Sequence, residues 1–165
     1  MARKPKEHHD LDAKDRKILQ LVQRDATLAQ AVIARKVGLS TAAVSERLRK
    51  LEAAGVIRRW SAIVDAAALG AQFTAFVEVF FEHPRYEAAF LKRVLVLDEV
   101  LECHHVTGEF SLLLKLRVAD MAALQELLLH QLGSHDGVRQ TRTVMALSTV
   151  KEETFVNPIP RGGES

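Results

Sequence analysis

The chain has 165 residues, enough for one ordinary domain or two small ones, and 48% of them are apolar against 27% charged, which excludes a disordered or fibrous chain. One cysteine excludes an internal disulfide framework, and no apolar run approaches the roughly 18 to 20 residues of a membrane-spanning helix, so a reducing, cytoplasmic setting is expected. The net charge of +2 hides an asymmetry: residues 1–60 carry 14 Lys and Arg against 7 Asp and Glu, for +7, while residues 61–165 come to −5, so only the first part suits a polyanion.

Met1 to Asp10 is charged and lacks the apolar segment of a secretion signal, and it is expected to be a flexible basic arm. Leu11, Ile18, Leu19 and Val22 then recur at helical spacing, with Asp12 as N-cap and Asp15 three residues on. A second helix is predicted from about Gln30 to Val37, burying Ala31, Ile33, Ala34 and Val37 and stopped by Gly38. Its start offers no capping side chain, since Ala29 and Val32 stand where an acceptor and an acidic partner would help. Ser40 is a good N-cap for a third helix from Thr41 to Ala54, closed by Gly55. Helix, a turn of about three residues containing Gly, then helix is the spacing of a helix-turn-helix. Val44, Leu48 and Leu51 form the inner stripe of the third helix, leaving Ala42, Ser45, Glu46, Arg49 and Lys50 outside. Val56 to Val64 has strand composition and two arginines, and reads as a wing or a bridge between domains.

Beyond the connection at 65–70 the character changes. Phe73 to Phe81 reads as strand, Pro84 to Val96 as helix, Val100 to Val106 and Leu112 to Val118 as strands, Asp120 caps a helix to Leu132, and Val138 to Val150 is strand again. The order βαββαβ is the ferredoxin-like arrangement, an antiparallel sheet with two helices on one face. Apolar residues on both faces of the sheet point to a second copy of the chain as its cover. The predicted organisation is therefore an α+β protein: arm 1–10, winged helix-turn-helix 11–61, linker 62–71, ferredoxin-like domain 72–153 and flexible tail 154–165, whose end carries two prolines and two glycines.

Four segments together carry a resemblance. They are Leu11-Asp12-Ala13-Lys14-Asp15-Arg16-Lys17-Ile18-Leu19, Val37-Gly38-Leu39-Ser40 leading into Glu46-Arg47-Leu48-Arg49-Lys50-Leu51-Glu52, Gly55-Val56-Ile57, and Glu102 to Lys115 with Thr107-Gly108-Glu109-Phe110-Ser111 at its centre. In this order and spacing they resemble the leucine-responsive and asparagine-synthetase regulator family (Lrp/AsnC) over about residues 11–153. The resemblance implies a winged helix-turn-helix joined to a sensing domain, assembly into homodimers that often form octamers, and control of transcription by a small effector, usually an amino acid. Where the family commonly has Gly-Asp-x-Asp in the sensing loop, this chain has Gly108-Glu109-Phe110-Ser111.

Ser40, Thr41, Ala42, Ser45, Glu46, Arg49 and Lys50 are thus the candidate DNA contacts, with Arg49 the expected reader of guanine and Ser40 or Thr41 holding the phosphate backbone. Arg58 and Arg59 are candidates for contacts to the backbone in the adjacent minor groove. Arg47 points more sideways and is expected to pair with Glu46 or Asp25. For the effector, Val106, Thr107, Gly108, Glu109 and Phe110 form a tight turn whose backbone groups can hold the charged head of an amino acid. The resemblance adds Gln125, Thr141 and Arg142. An ordinary hairpin turn and a solvated helix face are the plain alternatives.

Cys103, His104 and His105 invite a metal reading, but strand alternation puts Cys103 and His105 on one face and His104 on the other. Two convergent ligands do not make the four of a structural zinc site, so neither metal nor cofactor is expected. No nucleophile with an adjacent base and no phosphate-cradling loop appears, so no enzyme is expected either. The rival readings are a tetrapyrrole enzyme and a protein that compacts DNA without sensing anything.

Overall fold

The computed structural model describes residues 10–158. The N-terminal arm, apart from Asp10, and the end of the C-terminal tail lie outside the described residues. The chain divides into two compact units, one formed by residues up to Ala62 together with those from Glu152 on, the other by Ile63–Lys151.

The first unit is built on three helices, α1 (Ala13–Arg24), α2 (Gln30–Val37) and α3 (Thr41–Ala53). Asp12 accepts from the Asp15 amide while Asp15 returns a carboxylate to the Asp12 amide, a reciprocal cap that satisfies two of the amides a helix start leaves over. At α2 the cap residue Ala29 makes no side-chain bond, as its chemistry dictates. Gly38 ends α2 with φ +66°, a left-handed turn that a β-carbon would penalise by about 1 kcal/mol or more, and α3 starts three residues later. The Lys14 ammonium donates to the Val37 carbonyl and ties α1 to that turn. Ile18, Leu19, Val22, Ile33, Ala34, Val37, Val44, Leu48 and Leu51 make the core, with Ile18 and Val44 fully buried. Ala31, expected inside, is exposed, because the short α2 turns only its Ile33, Ala34 and Val37 side inward.

One expectation fails here. Residues 56–64 form no strand: Val56 and Ile57 close onto the Leu51 carbonyl through their amides, and the rest of the segment is irregular and exposed. A strand needs a partner ladder, and among the described residues of the unit none lies beside this segment. The segment from residue 152 has partners of its own. The Gln23 amide group donates to the Val156 carbonyl and accepts from the Val156 amide, both at 2.9 Å, Gln20 donates to Asn157 at 3.2 Å, and the Arg24 guanidinium lies 5.3 Å from the centre of the Phe155 ring.

The second unit runs β1 (Phe73–Phe81), a 3-10 turn (Pro84–Tyr86), α4 (Glu87–Val94), β2 (Val100–His105), β3 (Leu112–Val118), α5 (Met121–Glu126) continuing as a π-helical segment (Leu127–Leu132), and β4 (Val138–Met145). The sheet order is β2-β3-β1-β4, every pair antiparallel, which is the ferredoxin-like topology expected from the element order. One face packs against the helices: Ala75, Val77, Val79, Leu112, Leu114, Leu116 and Val118 meet Phe90, Val94, Leu124, Leu127 and Leu132. The opposite face carries Thr74, Phe76, Glu78 and Phe80 from β1, with Leu113, Lys115 and Arg117 beside them on β3, as strand alternation requires. Two elements are shorter than their composition suggests. β4 ends at Met145, opposite Ala75; the Ala146 amide still bonds to the Thr74 carbonyl at 2.9 Å, and residues 147–150 leave the sheet close to where β1 begins at Phe73. The helix from Asp120 widens to i→i+5 spacing after Glu126, where the Gly133 amide reaches back to the Leu128 carbonyl at 2.7 Å.

Candidate DNA interface and effector loop

Ser40 caps α3 through its Oγ, which accepts from the Ala43 amide at 3.2 Å. The inner stripe Val44, Leu48 and Leu51 is locked in the core, so Thr41, Ala42, Ser45, Glu46, Arg49 and Lys50 are all exposed on the opposite side. Ser40 itself is exposed at the start of the helix, where free amides and the positive helix end favour a phosphate. Arg58, beyond α3, is exposed as well. The expected face is therefore intact and solvent-facing in this unit.

Its electrostatics are more particular than its composition. Arg49 donates to Glu46 through Nε at 3.0 Å and Nη2 at 2.8 Å, and Lys50 approaches the same carboxylate at 3.7 Å. The hydrogen bond from Arg49 is the main reason the Glu46 carboxyl sits below the usual range, and the Arg49 guanidinium is raised in return. Arg47 does not pair with Glu46 or Asp25. It reaches Asp12 at 2.6 Å and Asp15 at 2.7 Å on α1, which makes it a brace between the first and third helices. The reason is direction: α3 presents Arg47 toward α1, whereas Asp25 is engaged with Thr27 beyond the far end of α1.

In the second unit, Val106 to Ser111 link β2 to β3. The Val106 amide bonds to the Ser111 carbonyl at 3.3 Å, and the Ser111 amide to the Val79 carbonyl at 3.0 Å, which pins both ends of the turn. Thr107, Gly108 and Glu109 are exposed at its tip, and Gly108 has φ +134°, a conformation open to glycine alone in practice. Phe110 turns back, its ring 5.8 Å from that of Phe80, and Phe80 in turn lies under the Arg139 guanidinium. Arg142 on β4 is held in a charge-assisted bond by Glu78, which raises its pKa, with Glu109 of the loop adding to the same effect. The fold thus brings Glu109, Phe110 and Arg142 toward one end of the sheet's helix-free side. Thr141, in register with Val79, belongs to the helix-covered side, and Gln125 is exposed on α5. Sequence reasoning passed over Phe80, Glu78 and Arg139, whose link to the loop is a cross-strand relation that no local spacing reveals.

The histidines are accounted for by carboxylates. His104 meets Glu102 at 3.0 Å on the open face, and His105 meets Glu87 at 2.5 Å on the other. Burial, helped by Glu87, pushes the Cys103 thiol up, opposite to what a metal-binding thiolate needs. Among the described residues no three His, Cys, Asp or Glu come together.

Comparison with known proteins matches residues 11–58 to the winged helix-turn-helix DNA-binding family and residues 74–156 to the Lrp/AsnC ligand binding domain. The leucine-responsive regulatory protein of Klebsiella pneumoniae is 38% identical over 145 residues, 87% of this chain and 88% of that one. The chain belongs to the Lrp/AsnC family. Among solved structures, a transcriptional regulator from Neisseria meningitidis in complex with L-methionine is similar at a TM-score of 0.83, with 32% identity over 87% of this chain and 94% of that one. The feast or famine regulatory protein of M. tuberculosis, complexed with L-methionine, has a TM-score of 0.82 and 32% identity over 90% of this chain and 99% of that one.

Membership assigns the two units their roles. The basic unit is a DNA-binding reader, the acidic unit is a ligand-binding sensor, and the whole is a transcription regulator rather than an enzyme. The Lrp/AsnC ligand-binding match extends to residue 156, yet residues 152–158 belong physically to the reader, with Val156 held by Gln23 on α1.

Proposed function

We propose that this Lrp/AsnC protein is a cytoplasmic homodimer, further assembled into an octamer, that reads duplex DNA with α3 and answers to an amino acid held at the 106–110 turn. The observation that carries the reading is the set of exposed side chains on α3, capped by Ser40 and opposed by a fully packed inner stripe. Ser40 and Thr41 grip phosphate, Ala42, Ser45, Glu46, Arg49 and Lys50 face the major groove, and Arg58 touches the neighbouring backbone. On the sensing side, Val106, Thr107, Gly108, Glu109 and Phe110 enclose the amino-acid head group, with Arg142 near it and Gln125 and Thr141 contributed across the assembly.

Support for an amino-acid effector comes from the relatives solved with L-methionine. Support for assembly comes from the sheet's helix-free face, where the cross-strand pair Phe76 and Val144 is 38% and 54% exposed. A cytoplasmic site is in keeping with a DNA-binding reader and with the finding that no helix among the described residues is long and apolar enough to cross a membrane.

A thermal-shift screen of the twenty amino acids, begun with methionine and leucine, tests the effector, since a ligand that binds only the folded chain raises its melting temperature by mass action. A hit that also changes the retardation of a DNA duplex supports the proposal. Twenty amino acids without effect on either measurement would leave a protein that binds DNA without sensing any of them.

A further inference from the structure

Resting on the reading of Arg49 as a base contact, we propose that Glu46 is a positioning residue that orients Arg49 and turns a general attractor of phosphate into a selective reader of guanine. The geometry is specific to one edge of the guanidinium. Arg49 uses Nε and Nη2 on Glu46, at 3.0 and 2.8 Å, so both bonds engage the side edge of the planar group. Its end edge, formed by Nη1 and the second hydrogen of Nη2, has no partner among the described residues. Two parallel N–H donors on such an edge match the O6 and N7 acceptors that guanine shows in the major groove. The carboxylate therefore fixes the plane of the group while leaving the reading edge open.

The pair is poorly explained as a stabiliser of the fold. The side chains of Arg49 and Glu46 are 68% and 48% exposed, and exposed pairs one turn apart contribute little. Arg47, which does brace the unit, is engaged elsewhere. What the Glu46 pair changes is the freedom of Arg49. A long, flexible side chain loses entropy when it docks, and one already held in a single plane loses less, and only for partners that suit that plane. The carboxylate also draws Lys50, at 3.7 Å, and adds a negative charge to a face that approaches phosphates. Both effects weaken attachment to DNA of arbitrary sequence. Selectivity gains what general affinity loses.

The test uses the full chain, a pool of duplexes with randomised central positions whose bound fraction is sequenced, and one duplex of arbitrary sequence titrated at several salt concentrations. Glu46→Ala is expected to tighten binding to the arbitrary duplex several-fold and to steepen its salt dependence by about one unit of slope, as a phosphate contact is gained. Its preference for guanine at the position read by Arg49 should fall roughly tenfold. Glu46→Gln, which keeps one acceptor, should retain part of that preference. In an Arg49→Ala background the change at Glu46 should leave base preference untouched, because the residue acts through the arginine. Full guanine preference in Glu46→Ala overturns the positioning role while Arg49 stands as reader. Unchanged preferences in Arg49→Ala overturn the reading beneath it. Loss of a cytosine preference on Glu46→Ala in the Arg49→Ala background overturns it differently, by making Glu46 itself a base contact. Melting curves of all variants should coincide, since Glu46 is exposed.

Discussion

Arg47 and Arg49 stand two residues apart on α3, and the helix turns them to different tasks. Arg47 closes a pair of short bonds onto Asp12 and Asp15, so Arg47→Ala should lower stability by about 1 to 2 kcal/mol, a cost of losing charge-assisted bonds that are only partly exposed. Burial pushes Asp12 up, but the bond from the Asp15 amide and the contact with Arg47 outweigh it and hold the carboxyl below its ordinary value. A carboxyl depressed by folding adds stability above its unfolded pKa and loses it as the pH falls through the lower folded one. Wild-type stability should therefore fall below about pH 4, and Arg47→Ala should show both a lower midpoint at pH 7 and a shallower loss toward pH 3 in urea titrations. Equal midpoints at pH 7 would remove Arg47 from its role as brace. At Gly108 the outcome depends on backbone alone, because a β-carbon there meets nothing within 4 Å. Gly108→Val should cost about 1 to 3 kcal/mol through its φ of +134°, and should weaken the effector response more than DNA binding in the absence of effector. Retardation assays with and without the amino acid found by screening measure both.

At the scale of elements, the C-terminal segment offers a direct test, since its last described residues are fastened to α1 by a side-chain amide that mimics a backbone partner. Gln23→Ala removes both bonds to Val156 and should lower the hydrogen-exchange protection of α1, with a stability loss of about 1 kcal/mol. Unaltered exchange in α1 would mean that the segment rests on the reader without supporting it. That contact was hidden in the sequence, because a polar tail with prolines and glycines reads the same whether or not a distant glutamine receives it. The helices were legible, since their causes are local: Asp12, Ser40 and Asp120 cap them, and Ile18, Val44 and Phe90 fall on the periodic face. Strand limits were not, since a strand ends where its neighbour ends. Val56 to Val64 and residues 147–150 have the composition of strands but join no ladder among the described residues. The π-helical turn at Leu127–Leu132 also escaped, its apolar pattern being compatible with an ordinary helix. For the DNA face the polar residues could be picked out in advance, but not that Glu46 would engage Arg49 by one edge. For the effector loop, Gly108 announced the turn, whereas Phe80 and Glu78 joined it only through the sheet.

For the whole molecule, a basic stretch (+7 over residues 1–60) precedes an acidic one (−5 over residues 61–165), and assembly is the proposed link between ligand and DNA. A single helix-turn-helix contacts one half-site, and its affinity rises steeply only when a second copy is held at the right spacing. The surface proposed to hold that copy is the helix-free face of the sheet. On it Phe76 pairs across the ladder with Val144, both exposed, beside Lys115 on the neighbouring strand, so an exposed apolar pair lies among charged residues on this face while the other face is already filled. On the proposed two-fold interface a carboxylate at Phe76 would be taken out of water in both copies, a cost that the neighbouring Lys115 offsets only in part. Phe76→Asp should therefore give a monomer in sedimentation at micromolar concentration while the buried face, set by Val77 and Val79, keeps the domain folded. Affinity for a duplex with two half-sites should drop by roughly two to four orders of magnitude, whereas affinity for a single half-site should hardly change. That contrast separates lost assembly from lost reading. If the variant sediments as the wild type does, the second copy must be sought on another surface.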